Sequence, residues 1–245
     1  GPLPIYMMFV SALFPSRLQA PVLFGIYASG VLLALCCARL LKNTLFKAPQ
    51  RDSLHHMKRL RLPSLRKVGI LMWSRAFMYV RKAGTFILGA SIILWFLNTY
   101  PRPEENTAPT NAAAMEHSYA GQIGHWMEPV TQVAGFDWKI NSALVGAFAA
   151  KEIFVTQMGI LYAVEDGNSG PAAQQTLNAR LKASYTPLQG ISIMIFCLIA
   201  LPCIGTVTVA KREAGTWWFA LAQFGGLTLL GFATATLIYQ AGLLL

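Results

Sequence analysis

The run from Ile191 to Gly215 reads ISIMIFCLIALPCIGTVTVAKREAG, a membrane-type apolar stretch that breaks at Leu201-Pro202-Cys203 and ends in Lys211, Arg212 and Glu213. Few folds accept such a run. In hydrocarbon an unpaired backbone amide or carbonyl costs several kcal/mol, so a spanning segment is helical and breaks only where the freed groups meet protein, water or an ion. Proline leaves the carbonyl one turn upstream without its helical donor. A thiol beside that carbonyl sets a soft sulfur ligand next to a hard oxygen one. The break is therefore expected to form part of a cation pathway, with the Leu201 backbone among its oxygens.

Other apolar runs approach the roughly 20 residues that cross a bilayer, and 55% of the chain is hydrophobic against 12% charged. The expected fold is all-α, a polytopic membrane helix bundle with a proline-interrupted helix and a short N-terminal half-helix. In order, we expect a half-helix and a span over 1–41, a basic loop and a surface helix over 42–82, and a span over 83–100. A polar loop over 101–139, a span over 140–163, the broken helix over 188–216 and a last span over 217–243 follow. The N-terminus has neither a basic n-region nor a small-residue cleavage site, so no cleavable signal is expected.

The net charge of +10 would suit nucleic acid, but its placement argues otherwise. Lys42, Lys47, Arg51, Lys58, Arg59, Arg61, Arg66, Lys67, Arg75, Arg81 and Lys82 stand against the single acid Asp52. That is the signature of a cytoplasmic loop facing anionic lipid. Residues 101–139 carry mostly acids and are expected outside. Alternation then places 164–187 inside, the 211–216 corner outside and the C-terminus inside. Cys36, Cys37, Cys197 and Cys203 lie in apolar runs, unlike a disulfide scaffold. His55-His56 reads as solvated loop. His125 and Glu128 share a helix face, and with Glu116 and His117 could gather incoming cations.

Lys151-Glu152 falls near the middle of the expected third span. Each charge there costs about 2.5–3.5 kcal/mol, and adjacent residues diverge on a helix, so partners must come from elsewhere. Lys211, Arg212 and Glu213 are the expected ones. Glu152 shares a helical face with Phe148, Val155, Thr156 and Gly159, a small and slightly polar seam.

Several of these stretches are joined by LPIY at 3–6, RLPSL at 61–65, RKAGT at 81–85, FDWKI at 136–140, AAKE at 149–152 and AKREAGTW at 210–217. In that order they resemble the membrane domain of the bacterial ferrous iron transport protein B (FeoB) family, along nearly the whole chain. The resemblance implies two Gate segments related as internal repeats, each with a proline-cysteine break. The second matches Pro202-Cys203. The first would precede Leu3, and its cysteine is not in this chain; Pro2 stands where the family has arginine. Fe(II) is then the transported ion, with Cys203 and Glu152 as ligands or charge compensation and Met158 as a weaker donor. Lys151, Lys211, Arg212, Glu213 and Pro202 are expected to gate or balance the path. The family also implies a GTP-binding domain, in cis or in trans, in the bacterial inner membrane system. This chain has no G-x-x-x-x-G-K-[ST] loop and is not expected to be an enzyme. A small cytoplasmic accessory protein and a homo-oligomer are further implied partners; nucleic acid is not. The rivals are a Gate-type scaffold without transport of its own and a transporter of nucleoside-like solutes.

Overall fold

The structure, a computed structural model, describes residues 3–44, 64–101, 115–162, 171–200, 202 and 204–244. Leu201, Cys203, His55-His56 and most of the basic loop lie outside the described residues. The regular structure of the described residues is helical, without strands, as a chain in hydrocarbon requires.

Helix α1 (Leu3–Leu13) turns at Phe14-Pro15 into α2 (Ser16–Thr44), and α9 (Ile204–Ala214) turns at Gly215-Thr216 into α10 (Trp217–Leu244). The layout recurs: an 11-residue helix, a two-residue corner, then a helix of 29 or 28 residues. Gly215 sits in the left-handed region at φ 74°, where a residue without Cβ is favoured. Both long helices are long and apolar enough to cross a membrane.

Helix α3 (Leu65–Thr99) is one element of 35 residues. The expected boundary between a surface helix ending at Lys82 and a span beginning at Ala83 does not exist. Arginine and lysine are good helix formers, and no proline interrupts the stretch, so charge alone could not stop it. It ends at Tyr100, extended at φ −115°, ψ 148°, the conformation imposed on a residue before proline.

The expected third span is not a span. Helix α5 (Trp138–Ala149) and helix α6 (Lys151–Tyr162) are separated at Ala150, which is extended at φ −153°, ψ 133°. Collinear, Lys139 and Tyr162 would stand about 35 Å apart; instead the Lys139 ammonium lies 4.8 Å from the Tyr162 ring centre. The two helices fold back on each other as a re-entrant hairpin. Gly146 makes the reversal tight, since a Cβ there would come within 3.0 Å of Ile153. Phe148 and Glu152, placed on one face in the sequence reading, therefore belong to different arms.

Helix α4 (Tyr119–Thr131), within the loop expected to be polar, packs on α5, and helix α7 (Pro171–Ser184) bends by 104° into α8 (Pro187–Ile199). A capping box of Thr186 and Gln189, with Pro187 at the first helical position, starts α8, satisfying amide groups that have no intrahelical partner. Helix α1 forms the centre of the core. Ile5, Tyr6 and Phe9 are wholly buried, and Phe9 meets Phe154 of α6 and Tyr185 before α8. Polar pairs tie the outer helices in: the Asn98 amide of α3 and the Gln157 amide of α6 exchange hydrogen bonds of 2.9 and 2.7 Å. Ser192 of α8 donates 2.7 Å to Ala134 O and 3.2 Å to Ala235 O, between the segment before α5 and helix α10.

Candidate functional site

Helices α1, α5–α6 and α8 all start from or return to one end of the bundle, here called the mouth. Tyr185 before α8 donates to Asp137 before α5, at 3.1 and 3.0 Å from its two oxygens, and accepts from Tyr162 at 3.0 Å. A Cβ on Gly190 would collide with the Leu13 side chain at the α1 corner, so the two segments approach closely there. Helix α10 reaches the same end, where Gln240 donates 2.8 Å to Val133 O. The C-terminus therefore shares an end with 119–139 and with Tyr185, which corrects the expected alternation of 101–139, 164–187 and the C-terminus. The hairpin begins and ends at the mouth, with Lys139 against Tyr162, so it is not one traverse of the bundle.

Depth follows from length. Helices α1, α5 and α8 have 11, 12 and 13 residues, or about 16–20 Å. The hydrocarbon core is about 30 Å thick, so none of the three helices is long enough to cross it alone, and the start of α1, the tip of the hairpin and the broken end of α8 lie at similar distances from the mouth.

Helix α8 ends at Ala200, extended at φ −82°, ψ 171°. Its last carbonyls have no intrahelical donor, and Pro202 supplies no N–H. Lys151, first residue of α6, reaches across from the hairpin tip. Its ammonium donates 2.5 Å to Cys197 O and 3.3 Å to Ala200 O, a cation on the negative end of a helix. Two carbonyls at the end of α8, those of Cys197 and Ala200, are thus served by a lysine.

Glu152 is exposed on the first turn of α6, and Met158 is fully buried in the core. The corner residues make local contacts: Arg212 and Glu213 pair at 3.8 Å, both largely exposed, and Lys211 lies 4.2 Å from the Trp217 ring centre. Lys151 is directed to α8 through Cys197 O and Ala200 O. Among the described residues no group of three or more His, Cys, Asp or Glu is placed to hold a metal ion. At the mouth, His125 stacks on Trp138 and faces Glu128 at 3.3 Å from Nδ1 and Glu116 at 3.5 Å from Nε2. The two carboxylates flank opposite ring nitrogens, so the trio cannot converge on one ion through the imidazole.

Asp137 is the mouth's buried acid. It caps α5 by accepting 2.9 Å from the Ile140 amide. Burial pushes its carboxyl above the ordinary range, against the Ile140 amide, the Tyr185 hydroxyl and Lys139, which pull it down. Burial and the Asp137 charge push Tyr185 up. A raised carboxyl binds protons that the unfolded chain has already released. Its stabilising contribution is therefore full below about pH 4 and declines as pH rises through the raised value. Asp137→Asn keeps the cap without the buried charge and should stay within about 1 kcal/mol of the parent while flattening that pH slope. Asp137→Ala should lose about 1–3 kcal/mol through the missing cap and the orphaned Tyr185 hydroxyl. Thermal unfolding in detergent across pH 4–8 measures both; equal slopes in parent and Asp137→Asn would contradict this. Sequence reasoning missed this network and the Lys151 contact, because neither has a local spacing signal.

Two family models match the chain: Gate, described as nucleoside recognition, over residues 80–217, and the ferrous iron transport protein B C terminus over residues 23–75. The Fe(2+) transporter FeoB of Campylobacter jejuni is 35% identical over 91% of this chain and 36% of its own length. The Fe(2+) transport protein A/Fe(2+) transporter FeoB fusion protein of Porphyromonas gingivalis is 34% identical over 99% of this chain and 33% of its own. The FeoB of Methanocaldococcus jannaschii is 33% identical over 99% and 35%. The chain thus spans about a third of the length of these relatives. No solved structure matches it. With the Gate model covering more than half of the residues, and FeoB relatives aligned along nearly all of them, the chain belongs to the FeoB family and corresponds to its C-terminal membrane portion.

Proposed function

We propose that this chain is the membrane path of a ferrous iron transporter driven by a GTP-binding domain of the same system. The observation that carries the reading is the alignment of nearly the whole chain with proteins named Fe(2+) transporter FeoB. Helices too short to cross alone support it, since transporters place ion sites where discontinuous helices end. Iron would pass the broken end of α8, where Cys203 offers a thiolate, Glu152 a carboxylate, and the Leu201 carbonyl a hard oxygen. Fe(II) accepts all three donor types. Met158 would contribute packing, and Pro202 would keep the backbone open.

The orientation follows from the basic segment. With 42–63 cytoplasmic, α2 and α3 cross, the hairpin returns to the outer side, and α8–α9 and α10 cross again. The mouth and the C-terminus face outward. The Lys211–Arg212 corner then faces inward, in keeping with the positive-inside rule, rather than outside as simple alternation of the five expected spans would put it. The bacterial inner membrane is the proposed location. The Porphyromonas fusion with Fe(2+) transport protein A supports a small accessory partner.

The Gate description, nucleoside recognition, favours one rival, an organic-solute carrier. Proteoliposomes holding the chain with its GTP-binding domain decide between them. Fe(II) should accumulate with GTP, and a thousandfold excess of nucleosides should leave the rate unchanged. Nucleoside uptake without iron uptake would overturn the reading, and uptake of neither would return the chain to a scaffold.

A further inference from the structure

We propose that the Lys151 ammonium is the resident cation at the broken end of α8, held on the same carbonyl oxygens that a permeating divalent ion would use and displaced when that ion enters. This rests on the reading of the α8 break as a cation path.

The end of α8 is a cation site by construction. Cys197 O and Ala200 O point at one position from the negative end of a 13-residue helix, and Lys151 Nζ occupies that position. Carbonyl oxygens are hard ligands that suit an ammonium and a metal ion alike. Two like charges cannot share the position in a medium of low dielectric. Occupancy by lysine therefore excludes a metal, and a metal excludes lysine.

The lysine is also mounted to move. It is the first residue after the Ala150 break, at the tip of a re-entrant hairpin rather than within a continuous helix. Its ammonium is a compact charge on a flexible four-carbon stem, and rotation of that stem frees the carbonyls without moving α8. The next residue, Glu152, is exposed and points to another side of α6. The bland alternative is that Lys151 only caps α8. The alternatives differ in what the site does once the charge is gone: a cap leaves weakness, a tethered occupant leaves a vacancy.

Lys151→Gln separates them, because the amide still donates to a carbonyl but carries no charge; Lys151→Arg keeps the charge. The whole protein in nanodiscs is titrated with Mn(II) alone and followed by electron paramagnetic resonance, with thermal unfolding run in parallel. Lys151→Gln should bind one additional Mn(II), at least about tenfold tighter than the parent, and Lys151→Arg should not. In vesicles without GTP, Lys151→Gln should leak Mn(II) faster than the parent. Lys151→Gln that unfolds as the parent does but binds Mn(II) no better would overturn the proposal. So would Lys151→Arg gaining the same site, a readout available even if the amide variant does not fold. Iron uptake by the parent with unaltered Mn(II) binding in Lys151→Gln would refute this inference alone. A site gained in Lys151→Gln while the parent moves no iron would refute the transport reading alone.

Discussion

Gly231→Leu is expected to destabilise the folded chain by about 3 kcal/mol and to suppress transport, whereas Gly226→Leu, on the same helix, should do neither. The difference lies in what each backbone faces. A Cβ on Gly231 would lie 2.8 Å from Ala200 Cβ, 3.1 Å from its nitrogen and 3.3 Å from its Cα, while one on Gly226 meets nothing within 4 Å. Ala200 is the last residue before the break and one of the two carbonyls held by Lys151. Two of the three atoms in the way are backbone, so rotamer changes cannot relieve the clash and α10 must move away from α8. Small residues at such seams let membrane helices approach closely, and packing rather than the hydrophobic effect holds them together. At Gly226 a leucine gains up to about 1 kcal/mol of helix propensity and adds apolar surface to a lipid-facing position. Denaturant titration of helicity in mixed micelles compares the pair. Equal losses at both positions would mean that Gly231 is not a contact between helices.

Much of the bundle was legible in the sequence because its determinants are local. Pro202 withholds an N–H and crowds the turn before it, and α2 and α10 announce themselves as long apolar runs. The half-helix α1 followed from a run too short to cross. The errors arose where local signals were silent. Ala150 is a strong helix former, yet the chain reverses there. Residues 140–163 had the length and apolarity of a span, and composition cannot separate a crossing from a hairpin of two half-length helices. Reading that run as one traverse of the bundle set the expected alternation of every later loop. Lys211 and Arg212, which alternation put outside, stood against the positive-inside rule; a charge bias in conflict with a count of spans is evidence against the count.

The candidate site was legible in part for the same reason. Lys151, Glu152 and Pro202 stood out as residues whose burial in lipid is expensive. Their pairing did not, since Lys151 meets carbonyls that carry no side-chain identity at all. A search for acidic partners was bound to overlook a helix end as the counter-charge. Asp137, Tyr162 and Tyr185 were hidden differently: each is unremarkable alone, and only the fold brings residues from three segments into one network.

The central claim is that Fe(II) crosses the membrane at the broken end of α8 in contact with Cys203 and Glu152. Its most direct test is radiolabelled Fe(II) uptake into proteoliposomes containing the protein with its GTP-binding domain, comparing the parent with Cys203→Ser and Glu152→Ala. The account predicts uptake reduced by about tenfold or more in each variant, with GTP hydrolysis and the thermal unfolding of the membrane portion unchanged. Uptake at the parent's rate in both variants would contradict it and remove the thiol and the carboxylate from the path of the ion.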